Sequence, residues 1–184
     1  MNLFLKRLGG FYKYRFLMQQ LVTKDIKLKY RRSFLGYLWS ILNPLMVMVI
    51  MVIVFSNMFR SDIVNFPVYL IIGQTLYNFM SESTTQAIFS IIGNASLLKK
   101  TYVPKYVFTV SKITSSFVNM VFALGALVIV FVVCRVVPNV FYLFIPVILL
   151  QEYLFCLGLG MLLAQGCVFF RDIQHIYNAV LTAW

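Results

Sequence analysis

A chain of 184 residues that is 61% hydrophobic and 11% charged departs far from the soluble mixture of about 45–50% apolar and about 25% charged residues. A core of this size cannot hide so much apolar side chain from water, so an ordinary soluble domain is excluded and lipid is the expected solvent. The formal charge of +11 would suit nucleic acid if it formed a basic domain, but the cations sit at the ends of apolar runs and no nucleic-acid partner is expected.

The first element is charged. Between Phe11 and Lys29, the apolar residues Phe11, Tyr14, Leu17, Met18, Leu21, Val22 and Leu28 recur at helical spacing, with Lys13, Gln20, Lys24 and Lys29 opposite. This predicts an amphipathic helix over residues 11–32 that lies in the membrane interface. Its basic side would meet anionic head groups or an acidic partner surface. It serves either as a snorkelling anchor for the first span or also as a docking element.

Four runs reach the roughly 20 apolar residues needed to cross a ~30 Å hydrocarbon core, at 37–59, 67–92, 106–133 and 141–170. The first carries Pro44, which removes a helical hydrogen bond and clashes with the carbonyl of Ser40, so a kink is expected there. Gly36 allows a bend before it, and Trp39 would anchor at head-group level; together they predict an elbow. In the second run Gln74, Asn78, Ser81 and Thr85 fall on one face beside Glu82 and Gln86, and in lipid such groups must face protein or water. The face is either part of a translocation path or a helix-packing surface.

Residues 93–105 read as a loop. The third run carries Ser115, Asn119, Ala123 and Ala126, and the fourth carries Cys156, Gly160 and Ala164, small residues that favour close helix packing. Glu82 and Glu152 are the acidic side chains within the runs, and intramembrane carboxylates are functional candidates by default. Neither has an opposite-sign partner at helical spacing, and Glu152 is expected either to hydrogen-bond a neighbouring helix or to act in substrate passage or proton binding.

Charge gives the orientation. Of 16 Lys and Arg, nine precede Tyr37, Lys99, Lys100, Lys105 and Lys112 lie about the second connection, and Arg171 follows the fourth run; Arg60 and Arg135 fall on the other side. The positive-inside rule therefore puts both termini in the cytoplasm and leaves short outer loops. No cleavable signal is expected, since the first long apolar run starts near residue 37 and lacks a small-residue cleavage site. Cys134, Cys156 and Cys167 show no CxxC spacing and read as structural thiols.

Catalytic chemistry is absent from the sequence. There is no GxxxxGK[ST] loop, His175 stands alone, and no metal cluster, Ser-His-Asp set or paired acid and base is visible. An enzyme is not expected, no cofactor or metal is assigned to this chain, and any energy source other than an ion gradient would come from another protein.

Three segments carry a resemblance. LVTKDIKLKYRRSFLGYLWSILNPL, with Asp25, Tyr30, Leu35, Gly36, Trp39 and Pro44, resembles the approach to the first span in membrane subunits of ABC-2 type polysaccharide exporters. NASLLKKTYVPKYVF, with Asn94, Leu97, Lys99, Lys100 and Pro104, looks like the cytoplasmic loop of that family after its second span, and FFRDIQHIY, with Arg171, Asp172 and His175, looks like its Arg-Asp segment after the fourth. The order matches, and all three fall on the side that charge marks as cytoplasmic.

The resemblance implies an all-α integral membrane protein of the bacterial cytoplasmic (inner) membrane. An interfacial helix would precede four of an expected six transmembrane helices, and the chain, ending at LTAW where a fifth would begin, reads as C-terminally truncated. It further implies a homodimer paired with nucleotide-binding ATPase subunits that hold ATP and Mg, exporting lipid-linked polysaccharide such as O-antigen, teichoic acid or capsule. ATPase coupling would fall to Asp25, Tyr30, Leu97, Leu98, Lys99, Lys100 and Pro104, with Leu97 to Lys100 a short coupling helix stopped by Pro104. Asp172 would stand near the start of the next helix, where the dipole favours a carboxylate. Gln74, Asn78, Ser81, Glu82, Thr85 and Glu152 are candidates for the path, and Trp39, Tyr77, Phe79 and Tyr153 could stack on sugars. A drug or lipid exporter of the same type, or an ion-coupled carrier using Glu82 and Glu152, is the alternative.

Overall fold

The computed structural model describes residues 2–30, 36–59, 65–100, 102–135 and 140–183, with side chains described throughout these ranges except at 2–12, 30, 37, 56–59, 100 and 141. Leu35 and Arg60, and the side chains of Tyr30 and Lys100, therefore lie outside the described residues. Within the described residues the chain is helical and has no strand: α1 (Asn2–Tyr30), α2 (Trp39–Phe59), α3 (Phe66–Ser90), a short α4 (Ala95–Lys100), α5 (Tyr106–Val133), α6 (Ile145–Phe169) and α7 (Ile173–Ala183). Short 3₁₀ turns lead into α2, α4 and α6.

The boundaries follow local chemistry. Gly36 adopts φ +46°, a conformation that costs glycine little, just before α2. Asn65, at φ 58°, turns the chain into α3, and its carbonyl accepts from Val68 N at 2.9 Å. Pro67 stands in the first turn, where its missing N–H has no helical partner to lose. An extended stretch ending at Pro104 separates α4 from α5, and the Pro104 carbonyl accepts from Val107 N at 3.1 Å. Asp172 directly precedes α7, and its carbonyl accepts from His175 N and Ile176 N.

The helices at 106–133 and 142–169 are long and apolar enough to cross a membrane, and 39–55 forms a shorter apolar helix. At roughly 37 Å, α3 is also long enough, but it falls outside that apolar set because of the polar residues along one side.

Packing is organised around α3 and α5, which have the most extensive contact in the fold. One apolar cluster joins Met48 of α2 to Val68 and Ile71 of α3 and to Ala126, Leu127 and Val130 of α5. A second joins Phe79 and Ala87 of α3 to Ile113 and Met120 of α5 and Cys156 of α6. Part of each small-residue stripe is a packing surface: Ser115 and Ala126 are buried on α5, and Cys156, Gly160 and Ala164 on α6, whereas Asn119 and Ala123 of α5 border a cavity. Cys167 is buried as well, whereas Cys134 at the end of α5 is only half-buried.

Hydroxyl groups in this interior turn to nearby carbonyls. Thr75 donates to Ile71 O at 2.6 Å, Thr84 to Met80 O at 2.6 Å, Ser90 to Ala87 O at 2.6 Å, Thr114 to Val110 O at 2.8 Å and Ser115 to Ser111 O at 2.9 Å. Such bonds keep Ser and Thr satisfied within their own helix. Others stitch helices together: Ser90 to Thr109 at 2.8 Å, Thr114 to Tyr153 at 2.9 Å, and Tyr177 to Thr84 at 2.8 Å. Tyr77 donates to Leu181 O at 2.6 Å, tying α7 back to α3.

The first helix departs from expectation in three ways. It begins at Asn2 rather than Phe11, running through Gly9 and Gly10 despite the propensity penalty of a glycine pair. Tyr14, Leu17, Met18, Leu21 and Val22 are half-covered, and α1 packs on α5, but Leu28 is 57% exposed. Lys29, expected on the outer face, instead turns inward, one helical turn beyond Asp25 on the side facing the bundle, because both residues find opposite charges there.

Gly160 marks a close helix approach. A Cβ at this position would lie 2.8 Å from Ile113 Cδ1 and 3.0 Å from the Ala87 Cβ, whereas one at Gly158 would meet nothing within 4 Å. Gly160→Val is expected to force α6 away from α3 and α5 and to destabilise the fold by about 1–3 kcal/mol. Gly158→Ala should leave stability unchanged or slightly higher. Thermal unfolding of both variants in one lipid or detergent environment checks the contrast, and equal midpoints would contradict the close packing.

Candidate functional site

The polar face of α3 opens on a cavity of about 650 Å³ between the end of α1, the start of α2, and the middles of α3 and α5. Its lining brings together Asn78, Ser81, Glu82 and Thr85, four of the residues expected to form a path, with the elbow residues Trp39 and Pro44. Gln74 and Glu152 do not line it. Glu152 is half-buried on α6 and, among the described residues, makes no hydrogen bond or ion pair. Gly36 stands before α2 and off the cavity wall.

Glu82 is the electrostatic centre. Its Oε1 accepts from Lys29 Nζ at 2.7 Å, Gln86 Nε2 at 2.9 Å and Asn119 Nδ2 at 3.2 Å. Three donors from α1, α3 and α5 therefore converge on one oxygen, which is how a carboxylate is retained among apolar helices. The opposite-sign partner that helical spacing fails to supply comes from α1, 53 residues away in sequence.

A second ion pair runs in the opposite sense, from Lys112 Nζ on α5 to Asp25 Oδ1 on α1 at 2.9 Å. Asp25 is thus engaged within the chain. One turn of α1 carries an acid that meets a base on α5, and the next carries a base that meets an acid on α3. The crossed signs fix the rotation of α1, because a half-turn about its axis would break both contacts.

Among the aromatic residues, Trp39 and Phe79 line the cavity. Tyr77 and Tyr153 are committed elsewhere, to Leu181 and Thr114, and the Tyr153 ring meets Phe117 edge-on with centroids 5.0 Å apart. Sequence reasoning missed several of the cavity's residues, among them Thr75, Met120, Ser116 and Lys29. Ser116 lines it, although only Ser115 beside it had been marked in the small-residue stripe, and Lys29 lines it from α1. The one available signal for Lys29 was Asp25, four residues earlier: residues at that separation share a face.

The remaining candidates lie away from the cavity lining. The short α4 carries Leu97, which is 40% exposed, a half-buried Leu98 and an exposed Lys99. Beyond it Tyr102 is 99% exposed and Pro104 half-buried, with Lys105 exposed before α5. Arg171, Asp172 and His175 are exposed at the start of α7, with His175 Nε2 3.0 Å from Gln174 Nε2.

Residues 17–184 match the family described as ABC-2 type transporter. An O-antigen export system permease protein RfbA of Myxococcus xanthus is 34% identical over 173 residues, covering 94% of this chain and 66% of the relative. A protein of the same description from Klebsiella pneumoniae is 31% identical over 163 residues, or 88% of this chain and 63% of the relative. The capsule polysaccharide export inner-membrane protein CtrC of Neisseria meningitidis is 24% identical over 166 residues, or 87% and 62%. The chain spans just under two thirds of the length of these curated relatives.

The Lys29 and Glu82 side chains are 45% and 32% exposed, so solvent screening limits their coupling. A double-mutant cycle with Lys29→Met and Glu82→Gln is expected to give a coupling of about 0.5–1 kcal/mol in unfolding free energy. The exchanged pair Lys29→Glu with Glu82→Lys should recover part of the stability lost by either single charge reversal. Additive single effects and no recovery would mean that the contact does not hold α1 in place.

Proposed function

Because the chain belongs to the ABC-2 type transporter family across residues 17–184, we propose that it is the membrane subunit of an ATP-driven exporter of lipid-linked cell-surface polysaccharide. The observation that carries this reading is the inward polar face of α3. Asn78, Ser81, Glu82 and Thr85 border a cavity of about 650 Å³ instead of being consumed in packing, and a chain of sugars moving through an apolar bundle needs such a lining. Relatives named for O-antigen export and capsule polysaccharide export support the same cargo class. Gln74 and Glu152 would belong to the path only outside this cavity.

In this reading α2, α3, α5 and α6 cross the bacterial inner membrane, both ends of the chain lie in the cytoplasm, and two copies form the conduit. The charge distribution supports the orientation: Lys24, Lys27, Lys99, Lys105 and Arg171 are exposed at one end of the helices. The chain holds no nucleotide of its own. ATP and Mg²⁺ belong to a separate ATPase subunit, for which α4 and the adjoining segment to Lys105 provide a surface with an exposed Leu97 amid lysines. The contact would relay its movement to α5 directly and, through α1 and the Lys29 to Glu82 pair, to the start of α2 at Trp39 and Pro44.

Two measurements test this. In vesicles carrying the complete transporter and a lipid-linked polysaccharide, export should require ATP and persist when the proton gradient is collapsed; transport driven by the gradient alone would overturn the proposal. Replacing Leu97 and Leu98 together with Asp should reduce the ATPase recovered in co-purification by roughly tenfold or more, as expected when central apolar contacts of an interface are lost. Unchanged recovery would remove α4 from the interface.

A further inference from the structure

Apart from the cavity at Glu82, a groove of about 510 Å³ runs between α1, α5 and α6. Helix α1 packs on α5 but has no comparable contact with α6, and the groove is the gap left between them. Its walls are Met18 and Val22 of α1, Val110 of α5, and Leu157 and Met161 of α6. Two hydroxyls stand among them, and both are already engaged: Tyr153 donates to Thr114 Oγ1 at 2.9 Å, and Thr114 donates to Val110 O at 2.8 Å. The interior therefore suits an apolar occupant. Tyr153, Leu157 and Met161 follow one another at one-turn spacing, so the groove tracks α6 for about 12 Å, most of the ~15 Å of hydrocarbon depth in one leaflet.

The mouth has a different chemistry. Arg15, Gln19 and Thr23 of α1 edge the groove and are exposed. Tyr14, the neighbour of Arg15, interacts electrostatically with Tyr106, the first residue of α5, which sets Arg15 at the end of the groove where α5 begins. Lys13 and Lys105 are exposed at that same end. The one acid in the sequence of α1 is Asp25, and Lys112 holds it, so no carboxylate of α1 offsets these cations. A cationic mouth over an apolar trench complements an anionic head group joined to a hydrocarbon chain, and neither half alone.

We propose that this groove holds one acyl chain of an anionic glycerophospholipid of the cytoplasmic leaflet, with Arg15 against the head-group phosphate. The assignment rests on the reading of α5 and α6 as membrane-crossing helices with the start of α5 at the cytoplasmic side, and not on the exported cargo. The ion pairs fasten α1 to α3 and α5. The lipid fastens it to α6 as well, so the seating of α1 depends on the composition of the leaflet.

The test uses the full chain in a non-ionic detergent, with native mass spectrometry following the lipid retained as dioleoylphosphatidylglycerol or dioleoylphosphatidylcholine is added. Phosphatidylglycerol should be retained at about fivefold lower concentration than phosphatidylcholine, the effect of one basic residue beside an anionic lipid. Arg15→Gln should abolish that preference and Arg15→Lys should keep it, while Leu157→Trp, which fills the trench, should lower retention of both lipids. Glycerol phosphate, a head group without a chain, should not be retained. Equal retention of the two phospholipids by the unaltered chain, a preference that survives Arg15→Gln, or full retention in Leu157→Trp would each overturn the site, as would retention of glycerol phosphate or a preference for a polyprenyl phosphate over phosphatidylglycerol. The Arg15 variants change an exposed side chain, so they decide the matter even where Leu157→Trp does not fold. ATP-driven export is decided separately, in vesicles, and none of these outcomes bears on it.

Discussion

A carboxylate in an apolar bundle must be neutralised or abandoned, and the way Glu82 is neutralised determines which helices meet. Its single oxygen draws a lysine from α1, an amide from its own helix and an amide from α5. Removing any one of these leaves the charge to the other two and to the solvent that reaches its partly exposed side chain. An interfacial helix with ordinary amphipathic contacts could rotate or slide on its support. With Lys29 fixed on Glu82 and Asp25 on Lys112 it has one seating, and the polar cavity lies where that seating places its last turn.

Behind this polar junction stands a frame of another kind. The α3 and α5 pair is shared by two apolar clusters, one completed by α2 and the other by α6. Small side chains let these helices approach closely, with Gly160 against Ile113 and Ala87. Thr75, Thr84, Ser90, Thr114 and Ser115 bond to carbonyls of their own helices and so cross the interior at little cost. Apolar packing holds the frame while the charged contacts position what lies against it.

Much of this was legible in the sequence. Long apolar runs and a basic amphipathic segment mark where helices fall, because burial in lipid leaves a coarse, local signal. The inward face of α3 was visible too, since Asn78, Ser81, Glu82 and Thr85 repeat at helical spacing. What could not be read was which element answers that face. Lys29 and Glu82 are far apart in the chain, and only the tertiary fold brings α1 across α3. The adjacent Ser115 and Ser116 are indistinguishable as letters, yet one bonds its own helix and the other stands unpaired in a cavity wall. Gln74 shares the spacing of the polar stripe but falls beyond the cavity, because periodicity identifies a side of a helix and not how far a void extends along it. Leu28 likewise continues an apolar pattern past the point where α5 covers it.

The Lys29 to Glu82 contact also bears on how the chain comes to be assembled. Synthesis proceeds from the N-terminus, so α1 and its lysine exist before the helix that carries the carboxylate has emerged. An acidic residue that must leave water is at its most costly while it waits for a counter-charge. Here the order of manufacture shortens the wait: the cation is made first, on a helix already present when α3 emerges. The same pair that seats α1 in the finished fold thus has a direction in time, with the neutralising partner already at hand when the carboxylate arrives.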